Sequence, residues 1–440
     1  MRSVVAVGLV CLAAAAAGCR SGGPRDMRLG NEPYLLVWAG DDDRRHEDFL
    51  AVLDANPRSR RYGRVLATIP VGSRGNEPHG VNDLARADGF VVATGLRSDR
   101  IFIFDMRDPV RGELRRVIEP SASRVLRAPV AVVTGRSGPA FVTQADRARY
   151  RGLGREVFDA PGGLLELDLP GRRLRERSAA SAEARSYIVA PSGGALARGA
   201  LVTTNRGHGW IDTTQGAFLP GITVQVWDLK ERRVRATVPL EAGPRGEENL
   251  GPLAVAPVPG RRTVYVATHD GGALYVSDSI DLDRPIFRLA YDFGAGSRPS
   301  GAVVRPDGRM LLVALAGRDE VVALDLRDPW RPAVASRIEI PSQGRGPAGP
   351  SALAMSADGG KVAVANYTLE VRSHRLDGDR RVHMLRFDEE TGAFALDERF
   401  RDEASGEVGV SFDREEWPHG ATGPARPHGV LFVAPVGDED

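Results

Sequence analysis

The hydrophobic positions of this chain fall in short runs, and the runs repeat. Ile101-Phe-Ile-Phe-Asp105 is apolar, β-branched and aromatic, and a turn marked by Pro109 follows it. Such a run, bounded by turn residues, reads as a buried strand. Variants recur at Phe49–Asp54, Leu164–Asp168, Thr223–Asp228, Ala273–Asp278, Val321–Asp325 and Val382–Asp388, with the aspartates 51, 63, 60, 50, 47 and 63 residues apart. Each aspartate is expected to accept a hydrogen bond from a backbone N–H about two residues on and so fix the turn that ends its strand.

Every aspartate run has company. A second apolar run precedes it: Leu35–Gly40, Phe90–Gly95, Ala140–Thr143, Ala200–Thr204, Val264–Thr268, Leu311–Ala314 and Val362–Ala365. Shorter runs come before most of these, at His79–Val81, Pro129–Val133, Tyr187–Ala190, Pro252–Ala256, Gly301–Val304 and Ala352–Met355. A further run follows each aspartate: Arg64–Ile69, Leu114–Ile118, Arg172–Arg175, Val234–Val238, Ile286–Ala290, Val334–Ile340 and Phe394–Phe400. Four short strands per repeat, seven repeats and no helical periodicity predict an all-β fold, a seven-bladed β-propeller over residues 34–435. The first repeat lacks an innermost strand, and the chain ends in a spare one, His428–Val433. That strand is expected to complete the first blade and close the ring, which removes exposed sheet edges. Ser178–Arg185 is Ala-rich and suited to one helical turn; 406–427 reads as a long loop leading to the closing strand.

Composition changes this picture little. The 51 glycines and 30 prolines among 440 residues suit many tight turns, and a net charge of +1 argues against nucleic acid as a partner. The N-terminus adds an address. Arg2 precedes an apolar run, Val4–Ala17, that is too short for the roughly 20 residues of a membrane-spanning helix. Ala16-Ala17-Gly18-Cys19 resembles a bacterial lipobox. Residues 1–18 then read as a signal peptide, Cys19 as a lipidated anchor in the cell envelope, and 19–33 as a tether. Cys11, the other cysteine, leaves with the signal, so disulfide and thiol chemistry are not expected in the mature protein.

The candidate chemistry lies in histidine. On this register all eight map to one face of the propeller. His46, His208, His374 and His383 fall in or beside connections between second and third strands, and His269 ends a second strand. His79, His419 and His428 lie before or at the start of innermost strands. Asn76-Glu-Pro-His79-Gly-Val and Ala425-Arg-Pro-His428-Gly-Val repeat one pattern, and ring closure makes their strands neighbours at the central channel. Two converging imidazoles suit copper, zinc or iron. A third ligand is sought from His419, His208 and His269, in that order. Glu77 is placed to orient or neutralise a ligand, and Asp41-Asp42-Asp43 offers a loop for calcium.

These residues resemble the selenium-binding protein family, whose bacterial members include methanethiol oxidase. The resemblance runs through Tyr34–Gly40, Asp48–Asp54, Pro57, Tyr62–Val65 and Asn76–His79, and returns at Val117–Pro120, Gln225–Asp228 and Asp325–Pro332. It implies a propeller whose central histidines hold copper, and oxidation of a small thiol by oxygen to aldehyde, sulfide and peroxide. The family has adjacent histidines where this chain has His79-Gly80, and the selenium-linked cysteine of animal members falls at Gly63. Two other functions compete: a non-catalytic, membrane-tethered propeller that binds a protein or small ligand, and a metal-dependent lactonase-type hydrolase. Metal content discriminates among the three.

Overall fold

The computed structural model describes residues 32–83, 89–120, 128–135, 138–145, 162–167, 174–178, 189–208, 219–342, 349–369 and 376–436. Cys19, His374 and most of Ser178–Arg185 lie outside them. The described strands form seven antiparallel sheets of at least four strands, each running outward from the channel in chain order. The exception is the first sheet, in which Ala425–Val433 pairs with Tyr34–Asp41 and supplies the innermost strand. Each innermost strand packs against those of the two flanking blades, and Ala425–Val433 lies between Pro78–Asp83 and Pro350–Met355. The ring is therefore the seven-bladed propeller expected, closed by the last strand. One 3-10 turn, Pro109–Arg111, is described over its full length.

Packing explains why the strands read as continuous apolar runs. Successive side chains alternate faces, and both faces of a blade are covered by its neighbours. Leu35, Val37 and Ala39 enter the core shared with the seventh blade, whereas Leu36 and Trp38 enter the core shared with the second. Such a core lies between every adjacent pair of blades.

The aspartate turns form as expected. Asp54, Asp105, Asp228, Asp325 and Asp388 each accept a hydrogen bond from the backbone N–H two residues on, at 2.8–3.2 Å. Asp168 lies outside the described residues, and Ser277 takes the role beside Asp278 by accepting from Ser279 N.

One strand differs from its expected place. The innermost strand of the fourth blade is Pro191–Ala197, not Tyr187–Ala190. Its sequence, Pro-Ser-Gly-Gly, looks like a loop, yet its backbone is held by the second strand and by the fifth blade.

A ring of equivalent seats at the channel mouth

Every innermost strand carries proline, one variable residue, then glycine or alanine; the trio opens the strand in blades two to seven and starts at Pro427, two residues into Ala425–Val433, in blade one. The variable residues are His428, His79, Val130, Ser192, Leu253, Ser300 and Ser351 in blades one to seven. Proline cannot donate to the ladder and is tolerated where a strand begins. In all seven blades the register shifts beside it. The residue before it has a positive φ in at least five: Glu77, Ala128, Gly251, Arg298 and Gly349. The bulge thus makes seven equivalent seats around the channel mouth, and His79 and His428 occupy adjacent ones.

Threonines tie seats two to five together. Thr94 Oγ1 accepts from Gly80 N (2.8 Å) and donates to Val130 O (2.8 Å) in the next blade. Thr143 and Thr204 repeat the arrangement one blade further on each time. Close approach also dictates the glycines beside the histidines. A Cβ on Gly80 would collide with Val130 O, and one on Gly429 would lie 2.9 Å from His79 O.

The two imidazoles stack, with ring centroids 4.3 Å apart and planes 34° apart. His428 Nδ1 lies 3.0 Å from His79 O. A carbonyl only accepts, so Nδ1 carries the proton, and the lone pair of His428 resides on Nε2. Burial pushes His79 well below the usual histidine range, with the neighbouring His428 and Arg206 adding to the effect. Burial likewise lowers His428 to about 4, against the opposing pull of Glu77 and of the His79 carbonyl. Both rings are neutral at pH 7, the state in which imidazole binds a metal.

A second tier surrounds them. The residue that follows the proline's partner is Arg206, within the second strand of blade four, and His269 and Tyr367, just past the second strands of blades five and seven. Tyr367 stands edge-on to His428, with centroids 5.4 Å apart. Its hydroxyl donates to Glu77 Oε1 (2.6 Å) and accepts from Arg426 Nη1 (3.3 Å). Burial, then Glu77, raises the Tyr367 pKa well above that of free tyrosine. Glu77 Oε2 lies 3.3 Å from Arg44, and 3.9 Å from both Arg97 and Arg426. Across the mouth, His269 Nδ1 meets Ser300 Oγ (3.2 Å), and Arg206 Nε is 3.8 Å from Asp270.

The structure does not bring His419 to the pair. Its Nδ1 is 2.7 Å from Thr68 Oγ1 on the outermost strand of the first blade, its Nε2 is 3.3 Å from Thr422 Oγ1, and its ring packs on Phe49. His208 ends the strand Ala200–His208, opposite Leu219, and its side chain lies outside the described residues. His269 shares the mouth but belongs to the fifth blade. His383 is buried inside a third strand, with Nδ1 3.0 Å from Asn366 Nδ2.

At Asp41–Asp43, ligand atoms of Asp41, Asp43 and His46 lie within 4.8 Å of one another. The loop itself already uses these carboxylates. Asp41 Oδ2 accepts from Arg45 N and His46 N, and Asp43 Oδ1 accepts from Arg45 N.

Comparisons with known proteins agree with the family resemblance. The chain is 28% identical over 191 residues to Protein NirF of Pseudomonas aeruginosa, covering 43% of this chain and 42% of that protein. It is 34% identical over 113 residues to methanethiol oxidase of Hyphomicrobium sp, covering 24% of each. The matched segment thus spans well under half the length of either relative. Among solved structures, a hypothetical selenium-binding protein from Sulfolobus tokodaii superposes with a TM-score of 0.70 at 19% identity, over 90% of this chain and 93% of that one. A periplasmic gluconolactonase from Pseudomonas aeruginosa gives 0.57 at 15% identity, over 91% of this chain and 99% of the other. At such identities these two show the fold alone. No family model matches.

Proposed function

We propose that this propeller, related to methanethiol oxidase and the selenium-binding proteins, binds copper between His79 and His428 and oxidises a small thiol at the channel mouth. The observation that carries the reading is the stacked pair: two neutral imidazoles 4.3 Å apart, one with its tautomer set by a backbone carbonyl. That is the arrangement in which a ligating histidine donates its other N–H and presents a lone pair. Copper, when held there, supplies redox activity and an affinity for sulfur. His79 and His428 would supply two nitrogen donors and leave the rest of the donor set to a small thiol.

The chain's own residues then have definite tasks. His79 and His428 hold the donor atoms, and Gly80 and Gly429 let the strands that carry them come together. Val130, in the seat next to His79, belongs to a buried apolar cluster with Leu96, Ala128, Ala145 and Ala190, which would suit a short alkyl group at the mouth. The test is turnover by copper-loaded protein: sulfide and peroxide should form in equal amounts from a short alkyl thiol and oxygen. His428→Ala should lower the rate at least a hundredfold. Equal rates in the two proteins would remove the pair from the chemistry.

A non-catalytic propeller that binds a protein or small ligand is the reading left if copper is not held. The lactonase-type alternative is supported only by a shared fold, and a fold hosts many functions.

For location we propose the cell envelope, with Cys19 as lipid anchor, on the strength of Arg2, Val4–Ala17 and Ala16–Cys19. Cys19→Ser should release the protein from membranes or block its processing. A variant that still fractionates with membranes at the wild-type mature mass would contradict the anchor.

A further inference from the structure

The residue before the proline of each seat is Glu77 in blade two and Arg426 in blade one, against Ala128, Ala190, Gly251, Arg298 and Gly349 elsewhere. Opposite charges thus occupy the same position beside the two histidines, on strands that ring closure makes neighbours, 3.9 Å apart. Both side chains are almost fully buried, as is Tyr367, whose hydroxyl bridges them. Burying an ion pair costs desolvation energy, and glycine or alanine fills the same position in four of the other five blades, so stability alone does not account for it. Its confinement to the histidine seats points to a task there.

We propose that Glu77, Arg426 and Tyr367 form a positioning triad for the histidine pair, an inference that rests on the proposed metal site only for its affinity readout. Glu77 anchors the Tyr367 hydroxyl. The anchored ring stands edge-on against His428 and stops the imidazole from swinging away from the His79 carbonyl. Arg426 joins the two seats by reaching Tyr367 and Glu77, and its Nη2 donates to Asp41 O (3.1 Å), which holds it in place. The closing strand therefore brings both a ligand, His428, and the cation that locks its orientation.

Two measurements on the full chain test this. Copper(I) affinity, read by competition with a chromophoric chelator, should fall 10–100-fold in Glu77→Gln, the range seen for outer partners of metal ligands. Tyr367→Phe keeps the ring but loses the anchor, and should cost several-fold. The double variant should bind about as Glu77→Gln does, because the two act through one contact. Histidine 1H–15N spectra of the metal-free protein give the second readout. In the wild type His428 should show one Nδ1–H tautomer, and in Glu77→Gln and Tyr367→Phe a mixture. A folded Glu77→Gln or Tyr367→Phe that keeps the single tautomer overturns the triad. Wild-type protein that binds no copper but loses its tautomer in the variants would overturn the copper reading and support the triad.

Discussion

The seats of the first two blades and those of blades three and five are built alike and filled differently. His428 and His79 sit where Val130 and Leu253 sit, at the same register, beside the same bulge. The backbone approach that makes a seat is common to the ring, and Thr94, Thr143 and Thr204 repeat the same two hydrogen bonds from blade to blade. Only the occupants change. The fold supplies seven equivalent positions, and the chemistry depends on which residues fill adjacent ones. The charge pair of Glu77 and Arg426 follows the histidines rather than the fold, which is why it belongs with the site.

Breaking the ring should have the largest effect. Deleting Gly429–Asp440 removes the buried Val430 and Phe432 from the core between blades seven and one, and exposes the edge of Tyr34–Asp41. Large-to-small core changes cost about 2–5 kcal/mol each, against a total stability of roughly 5–15 kcal/mol. The truncated chain should lose its cooperative thermal transition. An unchanged melting temperature would contradict the closure.

Substitutions within a seat test the close approach of its backbone. Gly80→Ala drives a Cβ into Val130 O and should cost about 1–3 kcal/mol by overpacking. Ala352→Gly, at the equivalent position of the seventh blade, should cost about 0.5–1 kcal/mol through backbone entropy. Denaturant unfolding measures both. If Gly80→Ala proves the milder change, the seats are not held by close approach.

Acid supplies a smaller, graded effect. Burial lowers His383 to about 3 and His428 to about 4. The folded state keeps both neutral while the unfolded chain takes up protons below about 6.5, so the unfolded state binds more protons in that window. The stability these groups contribute is intact above pH 6.5 and is lost progressively as the pH falls towards their folded values. For His383 the loss at pH 4 is about 3 kcal/mol. His383→Gln should therefore narrow the gap between melting temperatures at pH 7 and pH 4.5. An unaltered gap would mean that His383 is not buried neutral.

Much of the fold was legible because both faces of each blade are buried. Continuous apolar runs and aspartate turns mark third strands such as Ile101–Asp105, and an orphan strand at each end of the chain implies closure. The innermost strand of blade four escaped this reading because Pro191-Ser-Gly-Gly has no apolar run. The shared sign was the proline, present before every seat but hidden among 30 prolines. The Pro-His-Gly-Val repeat located the two histidines because the motif and ring closure together fix their distance. A third ligand could not be read the same way. His419 is close to His428 in sequence, yet its side chain reaches Thr68 on the outermost strand of blade one. Tyr367 carried no motif, since it merely follows a strand, and the complementarity of Glu77 and Arg426 exists only once their strands are neighbours.

On the proposed reading two adjacent seats hold one copper ion. Its most direct test is the metal content of protein prepared without affinity histidines, loaded with copper and freed of excess, for the wild type, His79→Ala, His428→Ala and Ser300→Ala. One copper per chain is expected in the wild type and in Ser300→Ala, whose seat belongs to blade six, and none in either histidine variant. Copper retained by His79→Ala and His428→Ala, or absent from the wild type, would contradict it.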